Sequence, residues 1–354
     1  MKLTDAFANV IKGLGIKHVF GLQGGAVVHF FDSLERLNIG VTYNHHEESA
    51  ALGATAFAKS SQNIGCAIVT TGPGSTNAIT GLMSAWQDSV PCIFISGQAR
   101  SSHVSYGKKV RQVGTQEVNI CDIVKPLTKY TKFINKKENF LPELFKATKI
   151  CLSDRPGPVW LDVALEVQWS NINFSKKYIY KKKDLKFGNS PNSKNYKKIF
   201  KHLSLSKRPI LIVGSGVKGK IGENLFKKFI NKYQIPFVTT WRSADIFETK
   251  NENNLGIIGM SGQRGANKAV FSSDLILCLG THLSIPHTTT LFKDYVKNAY
   301  KIIINIDKHE LQNTNVDFDL KIKDDINNFL KWSINNTFQT KTNWFDKKTF
   351  KSMN

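Results

Sequence analysis

The stretch Cys66-Ala-Ile-Val-Thr-Thr-Gly-Pro-Gly-Ser-Thr-Asn77 decides how this chain folds. A short, unbroken apolar run reads as a strand buried on both faces, a property of parallel sheets. It leads straight into Thr71-Gly-Pro-Gly74, where glycines let a ligand approach the backbone. The residues that follow open a helix whose first N–H groups lack partners. Outward from this stretch the pattern recurs. Phe20-Gly-Leu-Gln-Gly-Gly-Ala26 turns from strand to helix with glycines, and Asn44-His-His-Glu-Glu48 does so with carboxylates. Three such strand ends in one sheet converge at its carboxyl edge, where open α/β sheets bind ligands.

The rest of the chain extends this alternation. Helices are predicted over 5–14, capped by Thr4, and over 26–37 and 48–60. Strands are predicted at His18-Val-Phe-Gly-Leu22, Val41-Thr-Tyr-Asn44, Cys92-Ile-Phe-Ile-Ser96 and Val159-Trp-Leu-Asp-Val163. A first domain spans 1–170, followed by a Lys-rich, solvated linker at 171–190. The pattern then restarts with four strands: Pro209-Ile-Leu-Ile-Val-Gly-Ser-Gly216, Pro236-Phe-Val-Thr-Thr240, Asp274-Leu-Ile-Leu-Cys-Leu-Gly280 and Lys301-Ile-Ile-Ile-Asn-Ile-Asp307. They define a second domain over 191–335, and 336–354 forms a polar tail. The fold class is α/β, with two doubly wound parallel-sheet domains.

Composition narrows the function. With 354 residues, 41% of them hydrophobic and 21% charged, the chain is an ordinary globular protein and not a disordered or disulfide-stapled one. Five scattered cysteines without a CxxC pair read as buried thiols of a reducing compartment. No signal segment and no apolar stretch of membrane-spanning length occurs, so the expected location is cytoplasmic. The formal charge of +22 raises the question of nucleic acid. The excess is mostly Lys, densest over 176–201, and no zinc-finger spacing, aromatic RNA-binding set or basic zipper accompanies it, so no nucleic-acid partner is expected.

Glu47 is the candidate catalytic group, a carboxylate at a strand end before a helix faced with Ala and Gly. Beside a dry, packed surface a carboxyl group tends to hold its proton, which suits acid–base work near neutrality. The alternative is that Glu47 and Glu48 merely complement a helix N-terminus. Small residues at 50, 51, 53, 54, 56 and 58 suit a tight helix pair or a subunit contact.

Six segments in order carry a resemblance: His18-Val-Phe-Gly-Leu-Gln-Gly-Gly25, His46-Glu-Glu-Ser-Ala-Ala51, Thr71-Gly-Pro-Gly-Ser-Thr-Asn77, Asp88-Ser-Val-Pro91, Gln112-Val-Gly-Thr-Gln-Glu117 and Arg155-Pro-Gly-Pro-Val159. Together the chain resembles the thiamine-diphosphate enzyme superfamily over roughly 1–335, most closely its acetolactate-synthase-like branch. The resemblance implies a pyrimidine-binding domain followed by a Rossmann-like central domain, together forming the N-terminal portion of a lyase or carboligase acting on a 2-oxo acid. Glu47 would be the cofactor-activating glutamate, sharing a proton with N1′ of the aminopyrimidine. Gly24, Gly25, Gly72, Gly74 and Asn77 would wall the pocket, and Gln116 matches the glutamine of the family's Phe-Gln-Glu motif.

The departures are specific. No Gly-Asp dipeptide is present, so the family's Mg²⁺- and diphosphate-holding segment has no counterpart here, and no metal ligands are assigned. The chain alone is expected to have little activity, as a fragment, a split-enzyme half or a decayed copy. The alternative is a non-catalytic paralogue that binds a partner. Gln23 replaces a frequent Pro, and Thr115 stands where acetolactate synthases usually carry Phe. Gly259-Met-Ser-Gly262 is kept, but Gly280-Thr-His-Leu-Ser-Ile-Pro-His-Thr288 replaces the segment that accompanies FAD, so FAD is not expected. The family places its cofactor between subunits, so a homodimer, or a heteromer with a phosphate-binding chain, is expected, with the Ala-faced helix at the interface.

Overall fold

Every pair of neighbouring strands is parallel, so each connection must cross a sheet face and all helix-bound strand ends reach the same edge. The computed structural model describes residues 1–175, 178–181, 184–185, 192–289, 294–339 and 347–353. The chain divides into two compact units, Met1–Phe187 and Gly188–Asn354.

The first unit runs α1 (Leu3–Gly13), β1 (His18–Gly21), α2 (Val28–Arg36), β2 (Gly40–Tyr43), α3 (Glu47–Ser61), β3 (Gly65–Val69), α4 (Pro73–Asn77), α5 (Ile79–Gln87), β4 (Cys92–Gln98), α6 (Ile120–Val124), β5 (Tyr130–Ile134), α7 (Lys137–Leu152) and β6 (Val159–Ala164). Its strand order is β2-β1-β3-β4-β6-β5. Side chains alternate between faces: Cys66, Ile68, Ile93 and Ile95 join the core under α1, α2 and α7, while Ala67, Val69, Cys92 and Phe94 join the one under α3 and α5. In the second unit β7 (Pro209–Val213), β8 (Phe237–Thr239), β9 (Asn254–Ile257), β10 (Leu275–Leu279), β11 (Tyr300–Asn305) and β12 (Leu320–Lys323) stand in the order β12-β11-β10-β7-β8-β9. That is the arrangement of dinucleotide-binding folds. Both sheets agree with the expected α/β class.

Three strands were not foreseen: β5, β9 and β12, all at sheet edges. An edge strand leaves one flank to solvent and tolerates polar residues, so Tyr130-Thr-Lys-Phe-Ile134 and Leu320-Lys-Ile-Lys323 lack the continuous apolar signal. Thr4 does not cap α1: the helix starts at Leu3, and buried Thr4 Oγ1 shares a 2.7 Å hydrogen bond with Ser33 Oγ. Along the segment read as a solvated linker, Tyr180 and Leu185 are buried in the first core; positions 176–177, 182–183 and 186–190 of that segment lie outside the described residues. In the tail, Phe338 and Phe350 pack against the second unit's two cores.

The small-residue stripe of α3 faces inward. Ala50, Ala51 and Ala54 are fully buried and Ala58 nearly so within this single chain. The stripe packs on α5, where a Cβ added at Gly81 would fall 2.3 Å from Ala51 Cβ. The expected subunit contact through this stripe is therefore corrected to a helix pair inside the first unit. Gly81→Ala should force the helices apart and cost about 1–3 kcal/mol in urea unfolding. Ala56→Lys, on the exposed face of the same helix, should change stability by less than about 0.5 kcal/mol.

Candidate functional site

The first sheet's order reverses between β1 and β3, and the site residues gather at that reversal. The β2 end is tied to β1 by the Asn44 N–H donating to the Gly21 carbonyl at 2.8 Å, which brings the start of α3 beside the β1 and β3 turns. His46 caps α3, its Nδ1 accepting from the Glu48 N–H at 3.2 Å. With the cap supplied by His46, the buried Glu47 faces inward. Its Oε2 accepts from Asn77 Nδ2 at 3.0 Å, across from the end of α4.

Glu47 Oε1 accepts no hydrogen bond from the described residues, and a Cβ at Gly74 would stand 3.3 Å from it. Thr70 fills the space between two glycine turns: a Cβ at Gly24 would lie 2.6 Å from Thr70 Cβ, and one at Gly74 would lie 2.6 Å from Thr70 Cγ2. Gly24, Gly74, Asn77 and Glu47 thus form one cluster around Thr70, the first residue of the Thr70–Asn77 stretch, to which the sequence reading gave no role of its own. Gly72 and Gln116 form a second. Gly72 has φ +63° and Gln116 φ +57°, and a Cβ on Gly72 would meet the Gln116 carbonyl oxygen at 2.2 Å. Gly25 stands apart, since a side chain there would meet open space.

A buried polar row behind these turns was also missed. On the α3 face of the sheet, apolar Phe94 and Trp160 stack at 5.3 Å. The next positions toward the carboxyl edge are Ser96 and Asp162, paired in register, and then Gln98. Trp160 Nε1 donates to Ser96 Oγ at 2.8 Å, and Ser96 Oγ donates to Asp162 Oδ1 at 2.6 Å. Gln98 Nε2 donates to Asp162 Oδ2 at 2.9 Å and to the Val118 carbonyl at 2.8 Å. Gln98 Oε1 accepts from Thr71 Oγ1 at 2.8 Å and from the Ala99 N–H at 2.9 Å. The readable signal was an Asp inside Val159-Trp-Leu-Asp-Val163, a carboxylate where only apolar residues belong.

Burial pushes the Asp162 carboxyl up to about 7, although hydrogen bonds from Ser96, Gln98 and Tyr106 favour its ionised form. Folding therefore retains a proton that the unfolded chain, titrating near 3.8, has released. Stability contributed by this group falls as pH rises from about 4 to about 7 and is constant above that window. Asp162→Asn should abolish the slope. Urea unfolding of both proteins between about pH 5 and about pH 8 checks it, and parallel pH profiles would contradict it.

The reversal, the paired Glu47 and Asn77 and the side-chain-free turns form a cleft at the carboxyl edge of a doubly wound α/β sheet, where such folds bind ligands. Residues 1–123 match the family described as thiamine pyrophosphate enzyme, N-terminal TPP binding domain, and residues 196–332 match the thiamine pyrophosphate enzyme central domain. The chain belongs to the thiamine pyrophosphate enzymes, on their acetolactate-synthase-like side. It is 33% identical over 317 residues to the acetolactate synthase large subunit of Haemophilus influenzae, covering 87% of this chain and 53% of that protein. A probable acetolactate synthase large subunit of Methanocaldococcus jannaschii is 32% identical over 94% of this chain and 55% of its own length. For the large subunit of Buchnera aphidicola subsp. Schizaphis graminum the values are 31%, 94% and 58%. The chain spans about half the length of these curated relatives. Among the described residues, no helix is long and apolar enough to cross a membrane, and no three His, Cys, Asp or Glu side chains converge to hold a metal ion.

Proposed function

We propose that the first unit is the pyrimidine half-site of a thiamine-diphosphate-dependent lyase or carboligase that acts on a 2-oxo acid, as in acetolactate synthesis. The supporting observation is Glu47, buried, oriented by Asn77, and left with Oε1 unbonded beside the bare Gly74 turn. The residues fit the cofactor's ring: a planar heterocycle needs one carboxyl oxygen free to share a proton and walls without side chains. When bound, thiamine diphosphate supplies a thiazolium carbon that can be made nucleophilic toward a carbonyl group.

The chain's own residues prepare this. Asn77 donates to Oε2 and leaves Oε1 to hold or give the proton at the ring nitrogen. Gly24, Gly72 and Gly74 let the backbone approach, Thr70 fills the gap behind two of those turns, and Gln116 stands against the Gly72 turn. We assign Mg²⁺ and the diphosphate to a phosphate-binding domain outside these residues, on a second copy or a partner chain, which completes the site. We read the second unit as scaffold without FAD. Its Gly280–Thr288 segment carries no Arg, Lys or carboxylate to engage a dinucleotide. Burial and the neighbouring His282 push His287 down to about 4, so it is neutral near pH 7.

Mixed with a polypeptide carrying the phosphate-binding domain, thiamine diphosphate, Mg²⁺ and pyruvate, the chain should decarboxylate the 2-oxo acid. Glu47→Gln should reduce turnover at least about 100-fold, the usual worth of a positioned proton donor, while leaving stability within about 1 kcal/mol. Glu48→Gln should lose only a few-fold. Equal losses from both changes would show that the wrong carboxylate has been assigned. No turnover from a folded mixture over a panel of 2-oxo acids would favour the non-catalytic, partner-binding reading.

A further inference from the structure

The turn from β1 to α2 stands on two footings. At one end Gly24 rests on Thr70, and the Gly24 carbonyl accepts from the Val27 N–H at 3.0 Å. At the other the Ala26 carbonyl passes over β4 where Gly97 has no side chain; a Cβ there would fall 1.8 Å from that oxygen. Between the footings Gly25 is exposed, and a side chain on it would meet open space. A carbonyl pressed against a strand has lost water on that side and needs a donor from the protein.

Gln168 supplies it. This residue ends α8 (Leu165–Gln168), the short helix that follows β6, and is fully buried. Its amide nitrogen carries two protons and has two acceptors within reach: Nε2 donates to the Ala26 carbonyl at 2.7 Å and to the Val163 carbonyl at 3.0 Å. Val163 is in register with Gly97, so both carbonyls belong to residues beside the same bare position on β4. Oε1 has no partner among the described residues, so the two donated bonds decide how the amide lies. Turned by half, it would set its oxygen against two carbonyl oxygens. The helix that carries Gln168 is itself held: Glu166 Oε1 accepts from the Ser101 N–H at 2.8 Å, the Ser170 hydroxyl donates to the Glu166 carbonyl at 2.7 Å, and the Leu3 N–H donates to the Ser170 carbonyl at 2.9 Å. The neighbouring Trp169 meets His29 of α2 edge-on, with ring centroids 5.3 Å apart.

We propose that Gln168 is the positioning residue of the β1–α2 turn, pinning the Ala26 carbonyl over Gly97 and with it the Gly24–Gly25 wall. This deepens the proposed function and rests on it for one consequence, that cofactor binding depends on a residue remote from the reacting atoms. Glu47 is seated separately, by α3 and by the bond from Asn77. Losing the Gln168 amide therefore loosens a wall of the pocket and leaves the carboxylate in place.

Hydrogen–deuterium exchange on the full chain tests the pinning without reference to the cofactor. Gln168→Met keeps the length of the side chain and removes both donors. Amides of 22–31 should then exchange roughly tenfold faster than in the wild type, the effect of one lost hydrogen bond, while those of α5, on the other face of the sheet, stay within about threefold. The same acceleration in both segments would mark a merely structural role, and none in 22–31 would mark no role at all; either result overturns the proposal. If Gln168→Met does not fold, Gln168→Glu carries the test. Burial keeps that carboxyl protonated, with one donor left of two, so 22–31 should speed up by less than about tenfold and α5 should not follow. No change, or equal change in both segments, overturns the pinning here too. Activity in the mixture with the phosphate-binding polypeptide supplies a separate arm. Gln168→Met should raise the thiamine diphosphate concentration for half-maximal turnover about tenfold and leave turnover at saturating cofactor within about threefold. A drop in saturated turnover with unchanged half-saturation would contradict the consequence for the wall. A wild-type mixture that turns over no 2-oxo acid would refute the proposed function, and the exchange data would then decide the positioning claim alone.

Discussion

A parallel sheet whose order reverses between two neighbouring strands leaves a cleft there, because the connections that follow those strands go to opposite faces. In the first unit α2 follows β1 and packs with Ile68 and Cys66, whereas α5 follows β3 and packs with Ala67 and Val69 on the other side. Everything at the site descends from that divergence. The β1 and β3 turns have no helix between them, and β2, held to β1 in parallel register, delivers the start of α3 to the same edge. Glu47 needs no special device to reach the cleft. It is the first residue of α3, and His46 already serves the helix end.

The second constraint is polar satisfaction in the layer beneath. A carboxyl group buried as deeply as Asp162 costs stability unless it is neutral or well bonded. Here Ser96, Gln98 and Tyr106 surround it, and the bonds continue outward through Thr71 to the surface turns. An apolar trio at 96, 98 and 162 would satisfy the sheet with less electrostatic cost. It would also leave the Gly72 turn and the 105–118 segment resting on unoriented contacts. Rigidity at the rim of a cleft has to be anchored in something directional, and a buried hydrogen-bonded row is directional where packed methyl groups are not.

The central strands were legible because burial on both faces writes an unbroken apolar run, as in Gly65–Val69 and Leu275–Leu279. Edge strands β5, β9 and β12 were not, since the same physics exempts them from that pattern. At the site, Glu47 and the glycine turns could be read from residue type and position. Thr70, Thr71 and Gln98 showed no role of their own, because each is ordinary in its segment; Asp162 stood out as a carboxylate in an apolar strand, but its partners emerge only when strands far apart in sequence come into register. The alternation Phe94-Ile-Ser96-Gly-Gln98 beside Trp160-Leu-Asp162 holds the clue, but reading it requires knowing that β4 and β6 are neighbours.

The Ala stripe shows a different limit. Small residues at helical spacing announce close backbone approach, and the signal is the same whether the partner helix belongs to this chain or to another. What separates the cases is a reciprocal small residue within reach of the same fold. Gly81 on α5 supplies it: no side chain could stand between Ala51 and that backbone, so the stripe's partner is internal and its surface is consumed in the fold. The outward face of α3, with Leu52 and Ala56, remains exposed along the same helix that begins with Glu47. Because α3 has its inward face locked against α5, a chain docking on the outward face would meet a helix whose start is already fixed. The orientation of Glu47 therefore belongs to this unit's own packing, through the α3–α5 contact and the Asn77 hydrogen bond.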